Sequence, residues 1–156
     1  MSSELLTQLT DLLHTTYDVR VLRVELEKVK DSVYGNGNKS LETTLKEQVR
    51  TEVARILQPA LVTNPEKVLD ELVDEMKELP LLRLSIAFEP TQSSVEMITR
   101  WLQTNTGKHW ILDLTVDPKV GAGAVIEAGG LYRDFSLNEK LDQVVQRVTQ
   151  QLIGRK

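Results

Sequence analysis

The spacing of apolar side chains changes at Pro80, and this change constrains the fold more than any other feature of the 156-residue sequence. Before Pro80 apolar residues recur every three or four positions, which is the period of an α-helix. After Pro80 they alternate with polar residues, which is the period of a β-strand. We therefore predict two domains, a helical domain at residues 1–80 and a small α/β domain at residues 81–156.

The first half predicts about three amphipathic helices. The first spans residues 3–34 and ends where Gly-Asn-Gly-Asn allows left-handed backbone conformations. The second begins near Ser40 and stops before Pro59, because the residue that precedes a proline disfavours the helical conformation. The third has Asn64 as its cap and a proline in its first turn, and it ends before Pro80.

The apolar face of the first helix is a candidate partner-binding surface. Apolar anchors spaced three and four residues apart set the register when one helix packs on another. The alternative is that this face only covers the protein's own core. The candidate residues are Leu5, Leu9, Leu12, Leu22, Leu26 and Val29.

The second half predicts a mixed four-stranded sheet with two helices, which makes the fold class α+β. The first two strands should be parallel because a helix connects them. Gly129-Gly130 predicts a tight hairpin, since both residues adopt positive φ freely. The predicted elements are strands at 82–88 and 110–116, a helix at 91–107, hairpin strands at 124–128 and 131–135, and a capped helix at 136–154.

Composition argues against several kinds of function. The chain has no cysteine, which removes disulfides and thiolate chemistry, and its net charge of −4 with no basic cluster argues against nucleic-acid binding. No apolar run approaches the roughly 20 residues that span a bilayer. His14 and His109 lack a second ligand at helical spacing. We expect no enzymatic activity, catalytic residue, cofactor or metal.

The glycines of Gly121-Ala122-Gly123 follow a predicted strand, as in phosphate-binding loops. They lack the Lys-Ser/Thr of a P-loop and the helix whose N-terminus would receive the anion. A bulge or close packing at the start of a strand explains them better. A small nucleotide-binding α/β domain that uses these glycines with Asp117 and Asp134 remains an alternative.

A more specific pattern extends from Val116 to Leu141, and it resembles the C-terminal signature of the F-type ATP synthase delta subunit, the family of the oligomycin-sensitivity-conferring protein. The resemblance covers roughly residues 80–156. The matching positions, which need no gap, are Val116, Asp117, Pro118, Gly123, Gly129, Asp134, Ser136 and Leu141.

The resemblance implies a non-catalytic stator subunit. Its implied partners are the alpha subunits of the catalytic head, which the helical domain would bind, and the b-type peripheral-stalk subunit, which the C-terminal domain would hold. It further implies a peripheral position on the cytoplasmic side of the inner (plasma) membrane. A stalk or regulator subunit of a related rotary or export ATPase, of the V-type E subunit or flagellar export regulator type, is an alternative with a similar C-terminal plan.

Overall fold

The computed structural model describes residues 2–35 and 40–134. Contacts within the chain separate two compact units, Met1–Pro80 and Leu81–Lys156. We refer to them as the helical unit and the sheet unit.

The described part of the helical unit contains five helices where the sequence predicted three. Two predicted helices are each divided by a short break, so the prediction of three continuous helices is wrong. The five are α1 (Ser2–Thr10), α2 (Thr16–Val33), α3 (Leu41–Glu47), α4 (Thr51–Ala60) and α5 (Pro65–Lys77).

A capping box at Thr15 causes the first break. The Thr15 Oγ1 accepts a hydrogen bond from the Asp18 backbone N–H, and Asp18 Oδ2 accepts from the Thr15 backbone N–H at 2.9 Å. Each side chain satisfies an amide that a continuous helix would have bonded internally, so α2 begins here. In the sequence, the helical spacing of apolar residues continues past this point on both sides of Thr16, and this concealed the start of α2.

The second break lies between Gln48, the C-cap of α3, and Arg50, the N-cap of α4. The Arg50 backbone N–H donates to the side chain of Glu25 in α2 at 2.8 Å instead of to a helical carbonyl. Helix α4 then continues through Pro59 to Ala60, so the stop predicted before Pro59 is also wrong. Pro59 has no backbone N–H, so α4 lacks the helical hydrogen bond that this position would otherwise donate.

Helix α5 begins as predicted. Asn64 is its N-cap and accepts a hydrogen bond from the Lys67 backbone N–H at 3.2 Å, with Pro65 in the first turn. Its apolar face joins those of α1, α2 and α4 in one core. The most deeply buried side chains of this core are Leu9, Leu13, Leu22, Leu26, Val29, Val53, Leu57, Leu69 and Leu72.

The sheet unit has the strand order β2-β1-β3-β4. Strands β1 and β2 are parallel, as predicted from their helical connection, and the pairs β1/β3 and β3/β4 are antiparallel. The predicted α+β class with a mixed sheet is confirmed. The elements are β1 (Leu81–Ile86), α6 (Gln92–Thr106), β2 (Ile111–Val116), a 3₁₀ turn (Pro118–Val120), β3 (Ala124–Ala128) and β4 (Leu131–Asp134).

Local signals in the sheet unit were predicted well. Thr91 caps α6, and Gly107, with φ +67°, ends it in a left-handed conformation. Gly129 and Gly130, with φ +56° and +81°, form the two-residue hairpin between β3 and β4. The predicted helix at 136–154 lies outside the described residues. The core of this unit comprises Leu82, Leu84, Val95, Leu102 and Leu112.

Candidate partner-binding surfaces

The first part of the signature segment (residues 116–141) forms the turn between β2 and β3. The Asp117 backbone N–H donates to the carbonyl of Ile86 at 2.8 Å, which ties the turn to the end of β1. Its Oδ1 accepts from the Lys119 backbone N–H at 2.9 Å, and Pro118 begins the 3₁₀ turn with its ring in the first position. These contacts hold the turn between β2 and β3 in place.

The glycines of the same segment have positive φ, +71° at Gly121 and +113° at Gly123, in regions that other residues rarely adopt. Strand β3 follows them directly, so they do not precede a helix N-terminus. The arrangement that cradles phosphate in dinucleotide-binding folds is therefore missing at this turn.

The other signature positions lie at separate points of the sheet unit. Val116 ends β2 and is 48% exposed, Gly129 lies in the hairpin, and Asp134 ends β4. Ser136 and Leu141 fall outside the described residues.

Neither histidine lies in a metal-binding cluster within residues 2–35 and 40–134, where no three His, Asp or Glu side chains come together to hold an ion. His14 lies in the turn between α1 and α2, and its backbone N–H donates to Asp18 Oδ2 at 3.1 Å. His109 lies just before β2.

The six candidate partner-binding residues do not form one exposed stripe. Leu9, Leu22, Leu26 and Val29 are at most 1% exposed and belong to the core of the helical unit. Leu5 and Leu12 are half-buried. Four of the six residues therefore cover the protein's own core, which was the alternative interpretation. The break before Thr15 allows this, because α1 and α2 pack as separate helices.

A buried ion pair that the sequence analysis did not identify holds α2 to the start of α4. The Arg50 Nε donates to both carboxylate oxygens of Glu25, at 3.0 and 3.1 Å, and its Nη2 donates to Oε2 at 3.0 Å. The Glu25 side chain is 7% exposed and that of Arg50 is 36% exposed. The hydrogen bond to this carboxylate raises the pKa of Arg50. In the sequence, this ion pair is indicated only by a glutamate at a position where the helical spacing of α2 places apolar residues.

Much of the acidic face of α5 is paired, which reduces its power to attract a cation. Lys30 in α2 contacts Asp70 at 2.5 Å, and within α5 Lys77 donates to Asp74 at 2.8 Å. The Lys77 ammonium lowers the pKa of Asp74 below its ordinary value. Asp70 and Asp74, which are both exposed, therefore form a solvated surface with local counterions.

The described part of the helical unit has a smaller and a larger groove on its surface. The smaller, about 200 Å³, lies between α1, α4 and α5 and is mainly apolar, and the larger, about 690 Å³, lies between α3 and α4. The smaller is lined by Glu4, Leu5, Gln8, Ile56, Pro59, Ala60, Val68 and Leu72. The larger is lined by Leu41, Glu42, Leu45, Lys46, Thr51, Ala54, Arg55, Gln58, Leu61 and Val62.

The sheet unit presents two different surfaces. On the sheet, one register row contains Asp113, Arg83, Glu127 and Tyr132, with Arg83 within 3.5 Å of Asp113 and 3.7 Å of Glu127. On α6, Met97 and Trp101 are 69% and 63% exposed. The first surface contains charged side chains that form ion pairs with one another. The second exposes two large apolar side chains.

Comparison with known proteins adds one result. A family model described as ATP synthase delta (OSCP) subunit matches residues 36–148. The match includes α3, α4 and α5 as well as the described sheet unit, so it extends further toward the N-terminus than the signature segment. No curated protein matches the chain.

Proposed function

Because the chain belongs to the ATP synthase delta (OSCP) subunit family, we propose that it links the catalytic head of an F-type ATP synthase to the b-type helices of the peripheral stalk. Members of this family are structural subunits of the peripheral stalk and do not catalyse a reaction. The match over residues 36–148 carries the proposal, because it spans both units of the chain.

In this proposal each unit has its own partner. The helical unit binds the alpha subunits of the head, and the sheet unit holds the b-type subunit. Two independently packed units suit this role, since a connecting subunit must resist force applied at two separate attachments.

The smaller groove of the helical unit suits the head contact. It contains Leu5, one of the predicted partner-binding residues, beside Ile56 and Val68, and all three are half-buried. An amphipathic segment from the head would bury these side chains without unfolding the core, because the deeper leucines stay covered. The groove thus supports a role for Leu5 that the buried Leu9, Leu22, Leu26 and Val29 do not share.

The proposed position is peripheral, on the cytoplasmic side of the inner (plasma) membrane. The family is membrane-associated through the synthase complex. In the part of the chain that the structure describes, no helix is both long and apolar enough to cross a bilayer. Attachment through partner subunits accounts for membrane association without such a helix.

Affinity purification of the tagged chain from native membranes tests this function. We expect alpha, beta and b-type subunits to be recovered together. Recovery of V-type or export-apparatus subunits instead, or of unrelated proteins alone, would contradict the proposal.

The head contact has its own test. Ile56→Glu places a charge in the smaller groove and should release the alpha subunits while the b-type subunit is still recovered. Val62→Glu is the matched control, because Val62 is 80% exposed and lines the larger groove instead. Loss of the head with Val62→Glu but not with Ile56→Glu would assign the contact to the larger groove.

A further inference from the structure

Helix α6 has an uncharged stripe on the side that faces away from the sheet core. The stripe consists of Ser94, Met97, Trp101 and Thr104, which follow one another at spacings of three, four and three residues. The buried side of the same helix is formed by Val95, Thr99 and Leu102. The helix therefore packs one side on its own core, and on its outward side it exposes two large apolar side chains, Met97 and Trp101, flanked by the small polar Ser94 and Thr104.

Two polar side chains, Thr104 on this stripe and Asn105 beside it, are bonded back to α6 itself. Thr104 Oγ1 donates to the carbonyl of Arg100 at 2.9 Å, and Asn105 Nδ2 donates to the carbonyl of Trp101 at 2.8 Å. Donors that are already satisfied lose little when water is removed from around them. The stripe can consequently be covered by an apolar surface at a low desolvation cost.

We propose that this stripe is the surface on which a helix of the b-type stalk subunit docks. The proposal rests on the proposed function and adds to it the location of the contact and the chemistry of the partner. Alternating spacings of three and four residues are those of one helix in a coiled coil, where side chains insert between those of the facing helix. An added β-strand would instead pair with a sheet edge.

A positive charge beside the stripe indicates which charge the partner should carry. Arg100 lies next to Trp101 on the exposed side of α6, and among the described residues it has no ion pair. Glu96, the acidic residue of this helix, instead accepts a hydrogen bond from Gln92 at 3.1 Å. The docking helix should therefore present apolar residues at alternating spacings, with an acidic residue opposite Arg100.

Tryptophan fluorescence tests the contact directly. The chain has two tryptophans, Trp101 on the stripe and Trp110, whose indole N–H donates to Thr106. In a Trp110→Phe variant that retains the wild-type circular dichroism spectrum, the emission reports Trp101 alone. Addition of the soluble helical part of the b-type subunit should shift this emission to shorter wavelengths. If that variant does not fold, the wild-type chain is compared with Trp101→Phe, and the part of the shift that is lost in Trp101→Phe is assigned to Trp101.

The outcomes separate the surface from the function. Binding by sedimentation without a change in Trp101 emission would overturn the docking surface and leave the proposed function standing. No binding would overturn both. A shift caused by anionic phospholipid vesicles, with none caused by the b-type subunit, would also overturn the surface.

Substitutions provide an independent measurement. Trp101→Ala should weaken binding of the b-type fragment by roughly tenfold or more, as expected for a central aromatic anchor. Gln103→Ala is the matched control, because Gln103 is exposed on the same helix but off the stripe. Arg100→Glu should weaken binding most at low salt. Equal effects of the Trp101 and Gln103 substitutions would refute the assignment.

Discussion

Removal of the Glu25 carboxylate should destabilise the helical unit by about 2–3 kcal/mol. The carboxylate accepts one hydrogen bond from the Arg50 backbone and three contacts from its guanidinium, all between 2.8 and 3.1 Å. Breaking a buried ion pair typically costs about 3–5 kcal/mol. Arg50 is 36% exposed, so water can partly replace the lost carboxylate and the cost falls below that range.

The positions of the two tryptophans allow the unfolding of the sheet unit to be followed separately. Both lie in the sheet unit, so tryptophan fluorescence follows the unfolding of that unit, whereas the far-UV circular dichroism signal also includes the five described helices of the helical unit. In urea titrations Glu25→Ala should lower the midpoint of the circular dichroism transition and leave the fluorescence midpoint unchanged. Glu27→Ala is the control, because Glu27 is exposed on the same helix.

A double-mutant cycle with Arg50→Ala identifies the source of the loss. Since the two side chains bond each other, the double variant should be less destabilised than the sum of the single variants by more than about 0.5 kcal/mol. Additive losses, or a Glu25→Ala variant within about 0.5 kcal/mol of wild type, would refute the reasoning.

Three further substitutions test the sheet unit by fluorescence-detected unfolding. Gly130→Ala places a Cβ at φ +81° and should cost about 1–2 kcal/mol, although nothing lies within 4 Å of that Cβ; a neutral effect would show that the hairpin can adopt another turn. Thr91→Ala removes the N-cap of α6 and should cost about 1 kcal/mol, with Thr91→Ser close to wild type. Arg83→Ala breaks two exposed ion pairs and should cost less than about 1 kcal/mol; a larger loss would mean that the row Asp113, Arg83, Glu127 stabilises the sheet more than surface pairs do.

Local chemistry explains which elements could be predicted from the sequence. The start of α5 at Asn64 and the hairpin at Gly129-Gly130 depend on side chains or backbone freedom within a few residues, so the sequence contains the whole signal. The parallel pairing of β1 and β2 follows from the helix that connects them.

Long-range contacts explain what was missed. The break at Arg50 depends on Glu25, which is distant in the sequence; its position on the apolar face of α2 does not indicate which residue it pairs with. The break at Thr15 has a local signal, a capping box in which Asp18 takes the place of the usual glutamate. The helical spacing of apolar residues nevertheless continued across this position. Leu9, Leu22, Leu26 and Val29, predicted as candidates for a partner, are buried in the core of the helical unit. Periodicity alone does not distinguish an apolar face that is internal from one that is external.

The position of β1 has a consequence for synthesis of the protein. It is the first strand of the sheet to leave the ribosome, yet it pairs with β2 on one side and β3 on the other. Both of its edges therefore stay open until residues 111–128 have been translated, while the helical unit, already complete, can fold. During that interval the nascent chain exposes an unpaired strand that other chains could join, and the arginine in its centre discourages such association.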